Sequence, residues 1–268
     1  MTFGEISRII IRVCLSCGAT TLSAGIGSSN GLKSRRRDRI QLLTGPRQVG
    51  KTTLLLDLAA QFGHAAVYAA GDEPDAALPG FWERRWGEAE ARAQRGTAVL
   101  LLDEVHHLGD WAKHLKAHWD HLRRRRLPLH IVATGSSALR VATGSRESLA
   151  GRFERLTMSH WSASSLAATF QIPTHEAALD VVRFGAYPGA VTLQKDPTRW
   201  RAYVKDAIIE PAIRRDVLAL GAVRRPALLR QVFAIAAGSP AQIVPLQKLQ
   251  GQLSTRVPSK PWRTIWLC

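Results

Sequence analysis

The chain predicts an α/β fold, a three-layer sandwich built on a mostly parallel sheet, from three observations. Residues Ile40 to Leu58 run from a short apolar stretch through a glycine-bounded loop into an apolar-periodic segment, which reads as strand, loop and helix. Residues Ala98 to Val105 are an apolar run closed by two adjacent carboxylates, Asp103 and Glu104. A strand apolar on both faces belongs in the middle of a parallel sheet covered on both sides. Residues Leu129 to Ser137 form a further strand that ends in small hydroxyl residues.

The first loop is Gly45-Pro-Arg-Gln-Val-Gly-Lys51-Thr52, which fits G-x-x-x-x-G-K-[ST]. So short a loop wraps a phosphate with its backbone N–H groups, and glycines stand where side chains would block the approach. The N-terminus of the following helix adds unpaired donors and a partial positive charge. Gly45, Pro46, Arg47, Gln48, Val49, Gly50, Lys51, Thr52 and Thr53 are therefore the candidate nucleotide-binding residues. Lys51 supplies a charge for the β- and γ-phosphates, and the Thr52 hydroxyl is a ligand for Mg²⁺. An ordinary strand-to-helix turn is the bland alternative, and it does not call for a Lys-Thr pair at this position.

The length of 268 residues allows one large domain or two modest ones. Apolar residues at 46% and charged residues at 22% are those of a soluble globular chain. Lys and Arg number 37 against 21 acidic residues, a formal charge of +16. That balance favours acidic partners such as DNA, nucleotides or an anionic membrane face, although solvated arginines give the same count. Cys14, Cys17 and Cys268 cannot build a disulfide framework, and Cys14 with Cys17 lacks a second pair to complete a zinc site. The expectation is a cytoplasmic protein. No apolar run reaches the roughly 18 residues of a membrane span, and Arg8 and Arg12 break the apolar Ile6 to Leu15 stretch against a signal peptide.

Taken in order, residues 1–34 read as an extension and glycine-serine linker, followed by a basic collar from Arg35 to Arg39. The expected nucleotide domain spans residues 35–172. Within it a helix follows Lys51, and Ala65 to Ala70 is a candidate second strand. Phe81, Trp82 and Trp86 fall at helical spacing and read as core. Asp103 and Glu104 sit at the C-terminal end of their strand, the edge where such sheets bind ligands. Alone they would read as a helix cap; paired with the phosphate loop they read as a Walker B element. Asp103 is then the candidate metal carboxylate, and Glu104 orients and deprotonates the attacking water.

The helix expected from Asp110 to Arg126 carries Trp111, Leu115, Trp119 and Leu122 on one face and His114, His118 and His121 on a neighbouring stripe. His106 and His107 precede the helix; histidines at such spacings can bind metal, but no carboxylate or cysteine joins them, so they read as structural or partner-facing, and Arg123 to Arg126 as the best candidate patch for a phosphate backbone. Thr134 or Ser136 at the end of the next strand is a candidate sensor of the γ-phosphate; a plain strand-ending turn is the alternative. Arg152, ahead of a fifth strand, is either an arginine finger, acting in cis or on a neighbour, or a surface ion pair. Beyond residue 160 the pattern turns helical, with a turn at Gly185 to Gly189 and a helix from Trp200 to Leu220 that Pro211 must kink or interrupt. Residues 173–253 form this expected lid, and residues 254–268 an irregular tail.

The sequence blocks L-L-T-G-P-R-Q-V-G-K-T-T-L-L, L-L-L-D-E-V-H-H-L, A-T-G-S-S, L-A-G-R-F and G-A-Y-P-G-A together resemble the prokaryotic AAA+, STAND-related ATPases that carry the AAA domain of type fourteen. The resemblance runs from about Arg39 to Gly251. It implies a P-loop NTPase sheet in the order 5-1-4-3-2, followed by a helical and partial winged-helix segment. It also implies ATP and Mg²⁺ as ligands. Lys51 and Thr52 would be the phosphate and metal ligands, Asp103 the metal carboxylate and Glu104 the hydrolytic residue. Ser136 falls in the sensor strand and Arg152 at the Gly-Arg step before the fifth strand. Where the family usually shows Pro-Leu-Ser-Phe after that strand, this chain has His160-Trp-Ser-Ala. The family's further C-terminal domain is also missing, and a truncated or frame-shifted reading frame is the expectation for both ends.

Three functions compete on these residues. The first is an ATPase that switches its helical region, working on a protein partner or a second copy. The second is a nucleotide-gated DNA- or partner-binding module with little hydrolysis, suggested by the two basic tracts. The third is a small-molecule kinase, which Glu104 beside Asp103 disfavours because a carboxylate there suits water as the acceptor.

Overall fold

The computed structural model describes residues 39–135, 149–217, 226–239 and 242–253. Outside the described residues lie the N-terminal extension with Cys14 and Cys17, Arg35 to Arg37 of the basic collar, Ser136, Leu220, and the tail with Cys268.

Five strands form one sheet: β1 (Ile40–Thr44), β2 (Ala66–Ala70), β3 (Ala98–Asp103), β4 (Leu129–Gly135) and β5 (Phe153–Thr157). Their order is β2-β3-β4-β1-β5, and every pairing is parallel. This is the expected 5-1-4-3-2 sheet of an α/β P-loop NTPase, read from its other edge. All five residues of β1 and all six of β3 are buried, as runs without alternation require.

Alternate residues of those strands feed two separate cores. Leu43, Val99, Leu101, Val132 and Leu156 pack with Leu54, Leu55 and Leu58 of helix α1 (Lys51–Phe62) on one face. Leu42, Leu100, Leu102 and Ala133 pack on the other face with α2 (Phe81–Ala93) and α3 (Trp111–Arg125). Each fully buried leucine contributes about 1.5–3 kcal/mol relative to exposure, so a strand such as β3 anchors the sandwich from both sides.

Phe81, Trp82 and Trp86 are core, as their helical spacing predicts. The histidine stripe of α3 turns out to be the α2–α3 interface. His114 stacks on Trp82 with ring centres 5.0 Å apart, and His118 on Trp86 at 4.3 Å. Burial, followed by the neighbouring His114, pushes the His118 pKa down, so the ring is held neutral. At the end of the helix Arg125 reaches Glu90 of α2 at 2.7 Å.

After β5 come α4 (Ala163–Phe170), α5 (Thr174–Phe184), α6 (Pro188–Val191) and α7 (Pro197–Tyr203). Leu166, Ala167 and Ala177 join α4 and α5 in a third small core. The chain divides into two compact units between Trp200 and Arg201. In the second unit the backbone runs as π-helical turns over Val204–Ile209 and Ala212–Val217. Proline lacks the N–H that an α-helix needs at Pro211, and the wider turns on either side are how this segment accommodates it. Helices α8 (Pro226–Ala237) and α9 (Leu246–Gly251) follow. The C-terminal region is helical, and among the described residues no strand follows β5. No described helix is long and apolar enough to cross a membrane.

Candidate nucleotide site

Parallel pairing puts the C-terminal ends of β1, β3 and β4 on one edge of the sheet. Thr44 pairs with Gly135 and Leu102 with Ala133, so the loop after β1 and the acid pair after β3 are separated by β4 alone. Two strand steps amount to about 10 Å, a span that a triphosphate and one metal ion can bridge.

The loop owes its shape to particular residues. Gly45 passes so close to β5 that a Cβ would run into the Met158 carbonyl oxygen, so here the glycine answers a chain contact as well as a phosphate. Gln48 (φ 60°) and Gly50 (φ 98°) take left-handed backbone, which turns the chain into α1. Val49 is fully buried, and its carbonyl accepts a hydrogen bond from Trp161 Nε1 at 3.0 Å. Lys51 is only 5% exposed. Its Nζ folds back over the loop and donates to the carbonyls of Gly45 at 3.1 Å and Pro46 at 2.6 Å. Thr52 and Thr53 are exposed at the start of α1.

Across the edge, Asp103 is 3% exposed and held on both oxygens. Its Oδ1 accepts from the Thr134 hydroxyl and from the Glu104 amide at 3.0 Å, and its Oδ2 from the Tyr68 hydroxyl at 3.4 Å. Burial, then the charge of Asp103, raises the Tyr68 pKa well above its ordinary value, so the phenol remains a donor. Thr134, fully buried, also accepts from the Glu104 amide at 3.2 Å. Those two acceptors steady Glu104 in left-handed backbone (φ 46°), a conformation that costs a non-glycine residue on the order of 1 kcal/mol. The Glu104 side chain, 18% exposed, lies with Oε2 3.1 Å from Nδ1 of His106. Gly71, at the end of β2, donates to the Asp103 carbonyl at 2.8 Å, and a Cβ there would press on the Glu104 carbonyl oxygen.

The structure therefore gathers Gly45 to Thr53, Asp103, Glu104 and Thr134 at one edge. Ser136 lies outside the described residues. Arg152 is a correction for the cis arginine finger. Phe153 pairs with Ile40, and the Ile40 amide bonds the Arg152 carbonyl at 2.9 Å, so Arg152 stands at the opposite end of β1 from the phosphate loop, roughly 16 Å along the strand. Its guanidinium grips Asp120 through two bonds of 2.9 and 3.2 Å and lies over the Trp119 ring. That is the ion-pair alternative.

Tyr68, Gly71 and Trp161 have no site role in the sequence reading, where His106 is structural or partner-facing. A lone tyrosine in an alanine-rich strand is the only signal for Tyr68. Trp161 stands in the His160-Trp-Ser-Ala stretch that departs from the family pattern, and the departure itself was the signal.

The donor set fits a nucleotide with its metal: a hard carboxylate and an exposed hydroxyl for Mg²⁺, and an amine and backbone N–H groups for phosphate. The five-stranded parallel sheet with helices on both faces is the α/β fold of P-loop NTPases. Residues 37–166, just under half of the chain, match the family model described as an AAA domain, a similarity that supports an AAA-type nucleotide-binding domain here. Residues 175–260 match the model of a domain of unknown function (DUF8612). No curated protein matches the chain.

Proposed function

We propose that this protein binds ATP with Mg²⁺, hydrolyses it, and uses the turnover as a molecular switch. The observation that carries the reading is the shared sheet edge: the lysine-bearing loop follows β1 and the acid pair ends β3 at the same edge, with β4 between them. Lys51 Nζ, now bonded to two loop carbonyls, would exchange those neutral acceptors for anionic β- and γ-phosphate oxygens, whose full charge attracts the ammonium more strongly. Thr52 and Asp103 would hold Mg²⁺, which supplies charge neutralisation along the triphosphate. Glu104 would orient a water molecule and take its proton as the water oxygen bonds the γ-phosphorus. The bond from that phosphorus to the bridging oxygen breaks, its electron pair leaves with ADP, and the proton passes from Glu104 to solvent. ATP is favoured over GTP because the chain has no Asn-Lys-x-Asp run after the sensor strand.

A switch needs a path out of the loop, and Trp161 supplies one. Its indole bonds the Val49 carbonyl, while its ring packs both on the α1 core and on the α4–α5 core. A loop that shifts on losing phosphate would move this ring and with it the helices. The switch's target would be a protein partner or a second copy.

The second reading, a nucleotide-gated DNA-binding module, draws on the charge of +16 and on the exposed Arg123 to Arg126. These arginines close α3 ahead of β4, so they lie at the sheet edge away from the loop, and Arg125 is partly spent on Glu90. ATP turnover measured with Mg²⁺, with and without duplex DNA, separates the two. The ATPase reading expects turnover without DNA that EDTA abolishes. No turnover, together with DNA affinity that requires ATP and falls steeply between 50 and 200 mM salt, roughly 10³-fold or more for six or more phosphate contacts, would favour the module instead.

A further inference from the structure

Directly after the acid pair the chain carries two histidines in a short turn, Val105–His107. Together with Glu104 they present three ligand atoms that lie within 4.8 Å of one another. The His106 side chain is 2% exposed, yet its Nδ1 makes no hydrogen bond among the described residues. That nitrogen is 3.1 Å from Glu104 Oε2, at ion-pair distance but without hydrogen-bond alignment. A buried, unbonded imidazole nitrogen is costly, and its carboxylate neighbour sits at a distance with a second meaning. Two ligands about 2.0–2.1 Å from a tetrahedral zinc ion are about 3.3 Å apart. The His107 ring lies 4.3 Å from that of His106, centre to centre, and is exposed. Beside it a cavity of about 360 Å³, lined by Trp82, Glu83, His107 and His114 among others, opens a way in.

We propose that Glu104, His106 and His107 form a second metal site, selective for a transition ion of the Zn²⁺ class, and that filling it withdraws the Glu104 carboxylate from hydrolysis. The inhibitory half rests on the role assigned to Glu104 above; the site itself does not. Imidazole ligands suit Zn²⁺, Co²⁺ or Ni²⁺ and disfavour Mg²⁺, so the nucleotide's own metal does not compete for it. Three protein ligands leave a fourth position for water. With its carboxylate held by the ion, Glu104 can no longer accept the proton of the attacking water, while Lys51, Thr52 and Asp103 remain available to ATP.

The test uses the full chain stripped of metal, with Co²⁺ as a visible probe and Zn²⁺ as its competitor. One Co²⁺ per chain is expected, with the intense absorption of a four- or five-coordinate ion, displaced by one Zn²⁺. His107→Ala, an exposed position, and His106→Asn should each weaken Co²⁺ binding by more than the roughly tenfold that loss of an outer partner costs. The fractional inhibition of Mg²⁺-ATP turnover by Zn²⁺ should vanish in His107→Ala. Equal Co²⁺ affinity in the wild type and in both variants would overturn the site. Tight Zn²⁺ binding that leaves turnover unchanged would overturn the inhibition. Loss of Co²⁺ binding in both variants supports the site even if the wild type shows no turnover with Mg²⁺ alone, a result that would remove the hydrolytic reading and not the metal.

Discussion

Replacing Lys51 with alanine is expected to abolish ATP binding at concentrations that saturate the wild type. The side chain is buried at the mouth of α1, and its amine is the charged donor aimed into the loop. Backbone N–H groups and the helix terminus would remain, but they are partial charges. A charge-assisted contact to phosphate contributes about 1.5–3 kcal/mol, so the loss should reach roughly 100-fold in affinity. Titration with a fluorescent ATP analogue measures it, and a thermal melt of the variant separates lost binding from lost folding. Affinity within a few-fold of wild type would show that the loop does not hold phosphate through this residue.

Glu104→Gln should have the opposite profile, with binding kept and turnover lost. Glutamine has the shape of glutamate, so the left-handed turn and the amide bonds to Asp103 and Thr134 can persist. What disappears is the carboxylate that would take the water's proton, and general-base catalysis is worth about 10²–10⁴-fold. Steady-state phosphate release should fall by at least about 100-fold while the analogue binds as before. Wild-type turnover would assign the water's proton to another acceptor.

Much of this site was legible because phosphate chemistry is local in sequence. Gly45 to Thr53 lie on one loop and the first turn of the helix that follows it, and their order is dictated by what so short a segment must do to surround an anion. The acid pair was legible for a related reason: β3 is apolar on both faces, so its buried place in the sheet and the edge at which it stops both follow from the pattern. The contacts that steady the site were not legible, because they cross strands. Tyr68 reaches Asp103 only because β2 lies beside β3, and the Trp161 indole meets the Val49 carbonyl 112 residues away. Nothing in the spacing of either residue encodes its partner.

Arg152, left open in the sequence between a finger and an ion pair, depends on the sheet in the same way. Its place before a strand suits a finger only if the strand's start faces the nucleotide, and parallel pairing with β1 puts that start at the far edge. The histidines of α3, expected to be structural or partner-facing, stack on Trp82 and Trp86 of α2, partners that their spacing alone does not name.

The central claim is that the loop and Asp103 share one Mg²⁺ with the bound nucleotide. The most direct measurement is the gain in ATP affinity on adding Mg²⁺, compared between the wild type and Asp103→Asn. This substitution preserves the shape of a side chain buried among Thr134, Tyr68 and the Glu104 amide while removing its charge. The account predicts that Mg²⁺ strengthens ATP binding in the wild type and that the variant loses roughly tenfold or more of that gain, the equivalent of about 1.4 kcal/mol. The same Mg²⁺ gain in both proteins would contradict it, since the metal would then be held without Asp103.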